Sequence, residues 1–190
     1  IEKDKESIKL LKPLQNIYPK KLEVIHGDAL TIPIYNIGTF PRQIIANLPY
    51  NISTKLLINV LRKINNYSKI TFMFQKEVAK RLVAEPGNKS YGRISILTKL
   101  LTKSQILFDV SNSAFFPKPK VNSSVVELIP LKKQNYKFNF ENMEKITHLT
   151  FSKRRKMLRT IFKNHGGDNM LNEIGISPIK RPENLSLDEF

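Results

Sequence analysis

The apolar positions of this chain follow two spacings as far as about residue 132. Compact apolar runs predict strands at 22–25, 42–46, 70–74, 105–110 and 124–129. Apolar residues at helical spacing predict helices at 4–17, 53–64, 77–84 and 93–101. Strands that alternate with helices predict an α/β sheet. Because no helix separates the last two strands, they are expected to form an antiparallel pair at its edge.

The pattern changes across residues 132–138. Beyond them the chain becomes polar and helical, with helices predicted near 141–151, 153–164 and 168–174. We therefore expect two domains: an α/β domain over residues 1–132 and a small all-helical domain over residues 133–190.

The charge balance of the chain indicates what kind of partner it binds. The 190 residues include 32 Lys and Arg against 16 Asp and Glu, a formal net charge of +16. Such an excess favours a polyanion, most commonly nucleic acid. A membrane surface is less favoured, because the sequence shows no long basic amphipathic helix with bulky apolar anchors. The alternative to a nucleic-acid partner is a lysine-rich composition that only raises solubility.

Other classes of site are excluded or disfavoured by composition. The chain has no cysteine, which excludes disulfides and thiolate metal sites. Its three histidines are far apart and lack metal-ligand spacing, so no metal site is expected. No apolar run approaches the roughly 20 residues of a membrane span, and no signal peptide opens the chain. We expect a cytoplasmic, soluble protein.

Polar side chains follow three of the apolar runs. Glu2 follows Ile1, Asp28 follows the run 22–25 through Gly27, and Asn47 follows the run 44–46. Ligands of open α/β sheets bind at the carboxyl ends of strands, where an acid often holds ribose hydroxyls. A second acid could accept a hydrogen bond from an adenine amine. Each acid alone is more often a helix cap or a surface charge, and only the recurrence at successive strand ends favours a binding site.

The stretch Asn47-Leu48-Pro49-Tyr50 suits a planar base that carries an amino group. Such an amine is a poor nucleophile because its lone pair is delocalised into the ring. Acceptors from the Asn47 side chain and the Pro49 carbonyl would hold both N–H bonds and favour a pyramidal nitrogen. Tyr50 would stack on the ring, which contributes roughly 1–3 kcal/mol per base. The alternative is a capped turn, with Ser53 as the N-cap and Tyr50 as core.

A second aromatic lies at Phe115, in a loop stiffened by Pro117 and Pro119. Together with Tyr50 it would supply the second wall for a base that has left its helix, a step that costs a few kcal/mol. The alternative is a hydrophobic anchor for a hairpin.

The densest basic cluster spans residues 151–163. Arg155, Arg159 and Lys163 are spaced at i, i+4 and i+8, a helical stripe suited to a phosphate backbone, and Arg154 belongs to the same cluster. We expect these four residues to bind RNA. A solvated basic face is the alternative.

These stretches together resemble the ribosomal RNA adenine N(6),N(6)-dimethyltransferases, and the resemblance covers essentially the whole chain. It is carried by NLPY at 47–50, GDA at 27–29, QKEVAKRLVA at 75–84, YGRIS at 91–95, FFPKPKVNSSVVEL at 115–128, FSKRRKMLR at 151–159 and RPENLS at 181–186. The last two resemble the small-subunit (16S) enzymes, which modify two adjacent adenosines near the 3′ end, more than the 23S enzymes.

The resemblance implies a Rossmann-like fold with a small helical C-terminal domain, S-adenosylmethionine as methyl donor and 16S rRNA of the small subunit as partner. It implies that Glu2 binds the cofactor's ribose and Asp28 its adenine amine. Asn47, assigned to both the cofactor and the target, and Pro49 would grip the target amine, with Tyr50 and Phe115 stacking on the target base. We expect a monomer.

One departure from the family pattern is serious. The glycine-rich loop that should precede Glu2, and the N-terminal arm that covers cofactor and target, do not occur in the sequence. We therefore expect an N-terminally truncated enzyme that by itself can be inactive. The alternatives are a non-catalytic RNA-binding factor of ribosome assembly, or a 23S rRNA or DNA adenine methyltransferase.

Overall fold

The computed structural model describes residues 1–133 and 136–190, and its centre is a four-stranded mixed sheet. The strands are β1 (Arg42–Asn47), β2 (Tyr67–Gln75), β3 (Thr102–Val110) and β4 (Ser123–Pro130), in the order β1-β2-β4-β3. β1 and β2 are parallel, whereas β4 runs antiparallel to both β2 and β3. The α/β sheet and its final antiparallel pair are therefore as predicted.

Seven α-helices surround or follow this sheet within the described residues. They are α1 (Lys5–Ile17), α2 (Tyr50–Arg62), α3 (Lys76–Leu82), α4 (Arg93–Leu101), α5 (Phe140–Ser152), α6 (Leu158–Ile161) and α7 (Gly167–Glu173). The helical spacing of apolar residues put α1, α3 and α4 within two residues of their observed bounds.

The main core forms around β2, whose inward side chains Ile70, Phe72 and Phe74 are fully buried. Helices α2 and α4 cover them with apolar residues one or two turns apart, including Leu57 and Leu97. Strand alternation and helical periodicity thus converge on one core, as burial of two amphipathic layers requires.

The predicted strand at 22–25 is wrong. This segment joins no ladder and makes only one parallel bridge, between Glu2 and His26. Glu2 N donates to Ile25 O at 3.0 Å, and Gly27 N donates to Glu2 O at 2.9 Å. In the described residues the segment pairs with the residues around Glu2 and not with β1.

The predicted helix at 153–164 is also wrong. The chain turns at 153–156, and α6 has only four residues before a 3₁₀ turn at Lys163–His165. The amides of Leu158 and Arg159 donate to the carbonyls of Lys180 and Pro178, at 2.9 and 3.0 Å. Those two donors are lost to the i→i−4 ladder that a continuous helix needs.

The start of α2 differs from the capped-turn alternative. Helix α2 begins at Tyr50 with Pro49 as its N-cap, so Ser53 is not the cap. Ser53 lies buried in the first turn, and its hydroxyl donates to the Tyr50 carbonyl at 3.0 Å.

The C-terminal helices pack in two ways. Helix α5 places Met143 in the main core, while a separate small cluster contains Leu158, Ile161, Phe162, Leu171 and Leu185. The Glu144 carboxylate of α5 pairs with Arg62 of α2 and Arg93 of α4. Residues 134 and 135 of the predicted boundary at 132–138 lie outside the described residues, and the division into two domains stays a prediction.

Across residues 1–133 and 136–190, none of the helices combines the length and apolar character that crossing a bilayer demands. In the same ranges, no three His, Asp or Glu side chains form a cluster that could hold a metal ion.

Candidate active site at the carboxyl edge of the sheet

One edge of the sheet gathers the ends of three strands and the start of the fourth. Asn47 ends β1 beside Met73 of β2, while Gln75 at the end of β2 pairs with Ser123 at the start of β4. Ser123 in turn pairs with Val110 at the end of β3. The antiparallel direction of β4 therefore brings its first residues to the edge where ligands of α/β sheets bind.

The Asn47 side chain is exposed at this edge, immediately before the turn that opens α2. Pro49 is exposed as well, and its carbonyl accepts one hydrogen bond, from Ile52 N at 3.1 Å. A carbonyl oxygen has two lone pairs, so this turn bond leaves the Pro49 oxygen with one further acceptor position.

Tyr50 is half-buried, and its hydroxyl lies 2.7 Å from the Ser123 hydroxyl. Ser123 is fully buried at the start of β4. This bond ties the first residue of α2 to the far side of the sheet edge. The orientation of the Tyr50 ring is thus fixed at two places, by the helix start and by the hydroxyl.

The loop at residues 111–122, which we call the aromatic loop, leads into Ser123. Its two ends are joined by Asn112 N donating to Asn122 Oδ1 at 3.0 Å, and Asn122 O accepts from Lys76 N at 2.9 Å. Phe115 is half-buried, whereas its neighbour Phe116 is fully exposed. The loop therefore presents two aromatic rings from a base that the sheet edge holds.

A polar network lies beside this edge. The Ser124 hydroxyl donates to Asp109 Oδ1 at 2.6 Å, and Lys76 pairs with the other carboxylate oxygen. The Lys76 ammonium and then the Ser124 hydroxyl lower the pKa of Asp109 below its ordinary value. This carboxylate stays charged and joins the end of β3 to α3.

The two acids predicted to bind cofactor lie on the neighbouring bridged segments. Glu2 Oε1 accepts from the amides of Lys3 and Asp4, both at 2.7 Å. Asp28 Oδ1 accepts from Leu30 N at 2.9 Å, and Oδ2 accepts from Lys3 Nζ at 2.9 Å. The Leu30 amide first, and Lys3 second, lower the pKa of Asp28. Both acids therefore also serve as local backbone acceptors.

The four basic residues predicted to bind RNA fall into two groups. Arg154 is half-buried, donating to Glu183 at 2.8 and 3.0 Å and to the Lys89 carbonyl at 2.7 Å. Arg155, Arg159 and Lys163 are exposed, but they stand on a turn, α6 and a 3₁₀ turn. The prediction that these residues form a stripe on one continuous helix is therefore wrong. The three exposed cations are nevertheless close in sequence.

Sequence reasoning missed Ser123 and the Ser124–Asp109–Lys76 network. The signal was a pair of serines opening an apolar strand, at Ser123 and Ser124. Two fully buried hydroxyls at a strand start need hydrogen-bond partners, because unpaired buried polar groups are costly.

Comparison with known proteins decides the family. The model of the family described as "Ribosomal RNA adenine dimethylase" matches residues 1–190. The chain belongs to this family. The membership confirms the resemblance drawn from the motifs and places the chain in a family of methyltransferase enzymes.

Similar family members include proteins named ribosomal RNA small subunit methyltransferase A. The chain is 41% identical to that of Paramagnetospirillum magneticum, 40% to that of Gluconobacter oxydans and 41% to that of Ehrlichia ruminantium. All of this chain is covered in each case, and it spans 68%, 63% and 73% of those relatives.

Two solved structures are also similar. A dimethyladenosine transferase of Plasmodium falciparum matches with a TM-score of 0.80 and 28% identity, over 98% of this chain and 76% of that one. The 23S rRNA methyltransferase ErmE matches with a TM-score of 0.70 and 19% identity, over 99% and 76%. These likenesses confirm the predicted Rossmann-like methyltransferase fold. At 19% identity, the likeness to ErmE supports the fold alone.

Proposed function

We propose that this chain is the S-adenosylmethionine-dependent part of an enzyme that dimethylates adenosine amines in ribosomal RNA. The substrate we infer is the pair of adjacent adenosines in the 3′-terminal hairpin of 16S rRNA, within the small subunit or its precursor. The observation that carries the proposal is the convergence of Asn47 and Tyr50 at one sheet edge, with Tyr50 tied to Ser123. The small-subunit names of the relatives support the choice of RNA.

In this proposal Asn47 and Pro49 act on the target nitrogen. The Asn47 side-chain oxygen and the second lone pair of the Pro49 carbonyl accept the two amine hydrogens. The nitrogen then becomes pyramidal and its lone pair is available for attack. No strong general base is required, since the methylated amine is acidic enough to lose its proton afterwards to water.

Tyr50 and Phe115 hold the ring of the target base. The Tyr50 ring is oriented by the bond to Ser123, and Phe115 is carried by the hydrogen-bonded aromatic loop. Walls fixed before binding reduce the ordering that must accompany extrusion of a base.

S-adenosylmethionine would supply a methyl group activated on a positively charged sulfur. The chain offers two acids for its adenosine half, and the hydrogen bonds they already make leave room for it. Both bonds to Glu2 reach Oε1, and the Asp28 Oδ2 partner is the exposed Lys3 side chain, which water can replace. We assign Glu2 to the ribose hydroxyls, Asp28 to the adenine amine, and Asn47 to the junction of cofactor and target.

The direct test replaces the amide of Asn47. We expect Asn47→Ala to lower methyl transfer to under-methylated small subunits by about 10²–10³-fold, the usual cost of removing one polar group that acts in the transition state. RNA affinity should change little. The protein should be the product of the whole gene, and the assay should count methyl groups incorporated into the rRNA.

Asn51→Ala is the matched control, because Asn51 also has an exposed amide side chain but lies in the first turn of α2 and not at the end of β1. If Asn47→Ala retains methyl transfer, the role proposed for this amide is contradicted. Calorimetry with S-adenosylmethionine separates an enzyme from a ribosome-assembly factor, which would bind RNA alone. Transfer to 23S rRNA or duplex DNA instead of the small subunit would contradict the substrate.

RNA binding is assigned to Arg154, Arg155, Arg159 and Lys163, and the exposed members provide its test. Reversal of charge at Arg155 and Arg159 should weaken RNA binding and flatten its dependence on salt, because each phosphate contact releases counterions. The same reversal at Lys20 and Lys21, both exposed, matches the change in net charge. An equal effect of the two double variants would mean that net charge alone attracts the RNA.

A further inference from the structure

The aromatic loop holds a large apolar side chain that the fold does not use. Phe116 is fully exposed, at 102% of its reference surface, and is a member of neither core cluster. An exposed phenyl ring gains nothing from burial in the folded chain. This ring stands on the loop between β3 and β4, at the edge of the sheet where ligands of α/β folds bind.

The backbone sends Phe115 and Phe116 to opposite sides. Phe115 has extended dihedral angles, φ −118° and ψ 148°, and successive side chains of an extended segment alternate in direction. Phe115 is accordingly half-buried against the protein, while Phe116 projects away from it. A base held at Phe115 would leave the rest of its strand on the side of Phe116.

The chemistry around Phe116 identifies the partner. Residues 111–122 contain no acidic side chain, and Lys118 and Lys120 are both exposed. An exposed aromatic ring followed by two exposed cations suits single-stranded nucleic acid, in which bases stack on the ring and phosphates meet the lysines. An apolar protein surface would not require the two lysines.

We propose that Phe116 stacks on a nucleobase that flanks the adenosine pair and stays in the RNA, with Lys118 and Lys120 on the adjoining phosphates. The proposal rests on the proposed function, since it needs an extruded base on the Phe115 side. It adds a contact with a neighbouring nucleotide, which fills the gap that extrusion leaves in the stack.

The experiment uses this chain and hairpin RNAs that display two unpaired adenosines. One RNA is intact, and two others carry an abasic ribose at the 5′ or the 3′ neighbour of the adenosine pair. We expect Phe116→Ala to weaken binding of the intact RNA by roughly tenfold, within the range found for base–aromatic stacking. The variant should have no effect on one of the abasic RNAs, which has already lost the stacked base.

Phe40→Ala is the matched control, because Phe40 is also exposed, at 64%, and also precedes a proline. It lies before β1, at the opposite edge of the sheet, and should leave all three affinities unchanged. Phe116→Trp keeps a stacking surface and should bind the intact RNA as the wild type does.

Equal affinities of wild type and Phe116→Ala for the intact RNA would overturn the inference. So would an equal loss on all three RNAs, since Phe116 would then act elsewhere. Methyl transfer by the whole gene product reports on the proposed function separately. Methyl transfer without an effect of Phe116→Ala on RNA binding would contradict only the stacking proposal. An effect of Phe116→Ala on RNA binding without methyl transfer would contradict only the proposed enzymatic function.

Discussion

The two halves of the candidate site differ in how they are held. Asn47 and Tyr50 stand at the end of a continuous ladder, and a buried hydroxyl fixes the tyrosine. Glu2 and Asp28 stand on segments joined by one parallel bridge, outside the four-stranded sheet. Both halves carried similar signals in the sequence, a polar residue after an apolar run. The same sequence signal therefore occurs at positions that are held differently, and the length of the ladder decides how firmly the polar side chain is positioned.

The largest expected contrast is in stability. Phe72→Ala removes a fully buried ring from the central strand and should cost about 3–5 kcal/mol of unfolding free energy. Ile8→Ala removes the only buried residue of α1, which belongs to neither core cluster, and should cost about 2 kcal/mol or less. Urea unfolding of both variants measures the contrast. Equal losses would show that α1, which follows the segment of Glu2, is as well anchored as the sheet.

A smaller effect is expected at the hydroxyl pair that fixes the tyrosine. Ser123→Ala and Tyr50→Phe each remove one partner of the bond and should lower methyl transfer by a similar amount, equivalent to about 1 kcal/mol. The double variant should lose no more than either single one, because the same bond is removed.

Ser124→Ala is the control for this cycle, since Ser124 is equally buried but bonds Asp109 rather than Tyr50. Activity should be retained there once any change in thermal stability is matched. Additive losses in the double variant would mean that Ser123 does not act through Tyr50.

The smallest effect concerns Asp28 and acid. Because the Leu30 amide, and then Lys3, lower the pKa of this carboxyl in the folded chain, its contribution to stability is present above the unfolded pKa. It is lost as the pH falls below about 4 and through the folded pKa. Asp28→Asn should therefore lie below wild type at neutral pH and approach it in acid.

Unfolding in urea at several pH values measures this convergence. Lys3→Ala should reproduce only part of the stability loss at neutral pH, because the Leu30 amide is the larger cause of the lowered Asp28 pKa. A constant gap between wild type and Asp28→Asn across the acid range would contradict the assignment.

The sequence was sufficient wherever a pattern is satisfied by contacts close along the chain. The apolar run at 70–74 was sufficient to predict β2, and helical spacing was sufficient to predict α4, whose observed bounds equal the predicted ones. Asn47, Tyr50 and Phe115 were predicted because an amide and aromatic rings in these stretches suit a planar base with an amino group, and their roles stay predictions. Their suitability for a base amine was an argument from chemistry and needed no coordinates.

What the sequence could not supply depends on distant partners. The amides of Leu158 and Arg159 are taken by residues 178–180, which no local pattern at 153–164 could indicate. The apolar residues of α1 have helical spacing, yet Leu14 and Ile17 are 46% and 65% exposed, and their spacing could not indicate this exposure. The partner of Tyr50 lies 73 positions along the chain, so the role of Ser123 required the fold.

The pairing of Glu144 with both Arg62 and Arg93 has a mechanical consequence. It clamps α5 to α2 and α4, and α5 ends directly before the basic turn at 153–156, while α2 begins at Tyr50. The cations at 153–156 and the tyrosine are thereby connected through α5 and α2, and under the proposed function this connection sets the distance between the RNA-binding turn and the target base. Under that proposal, an RNA whose folded backbone spans the same interval would meet both groups, so the protein would select its RNA by shape.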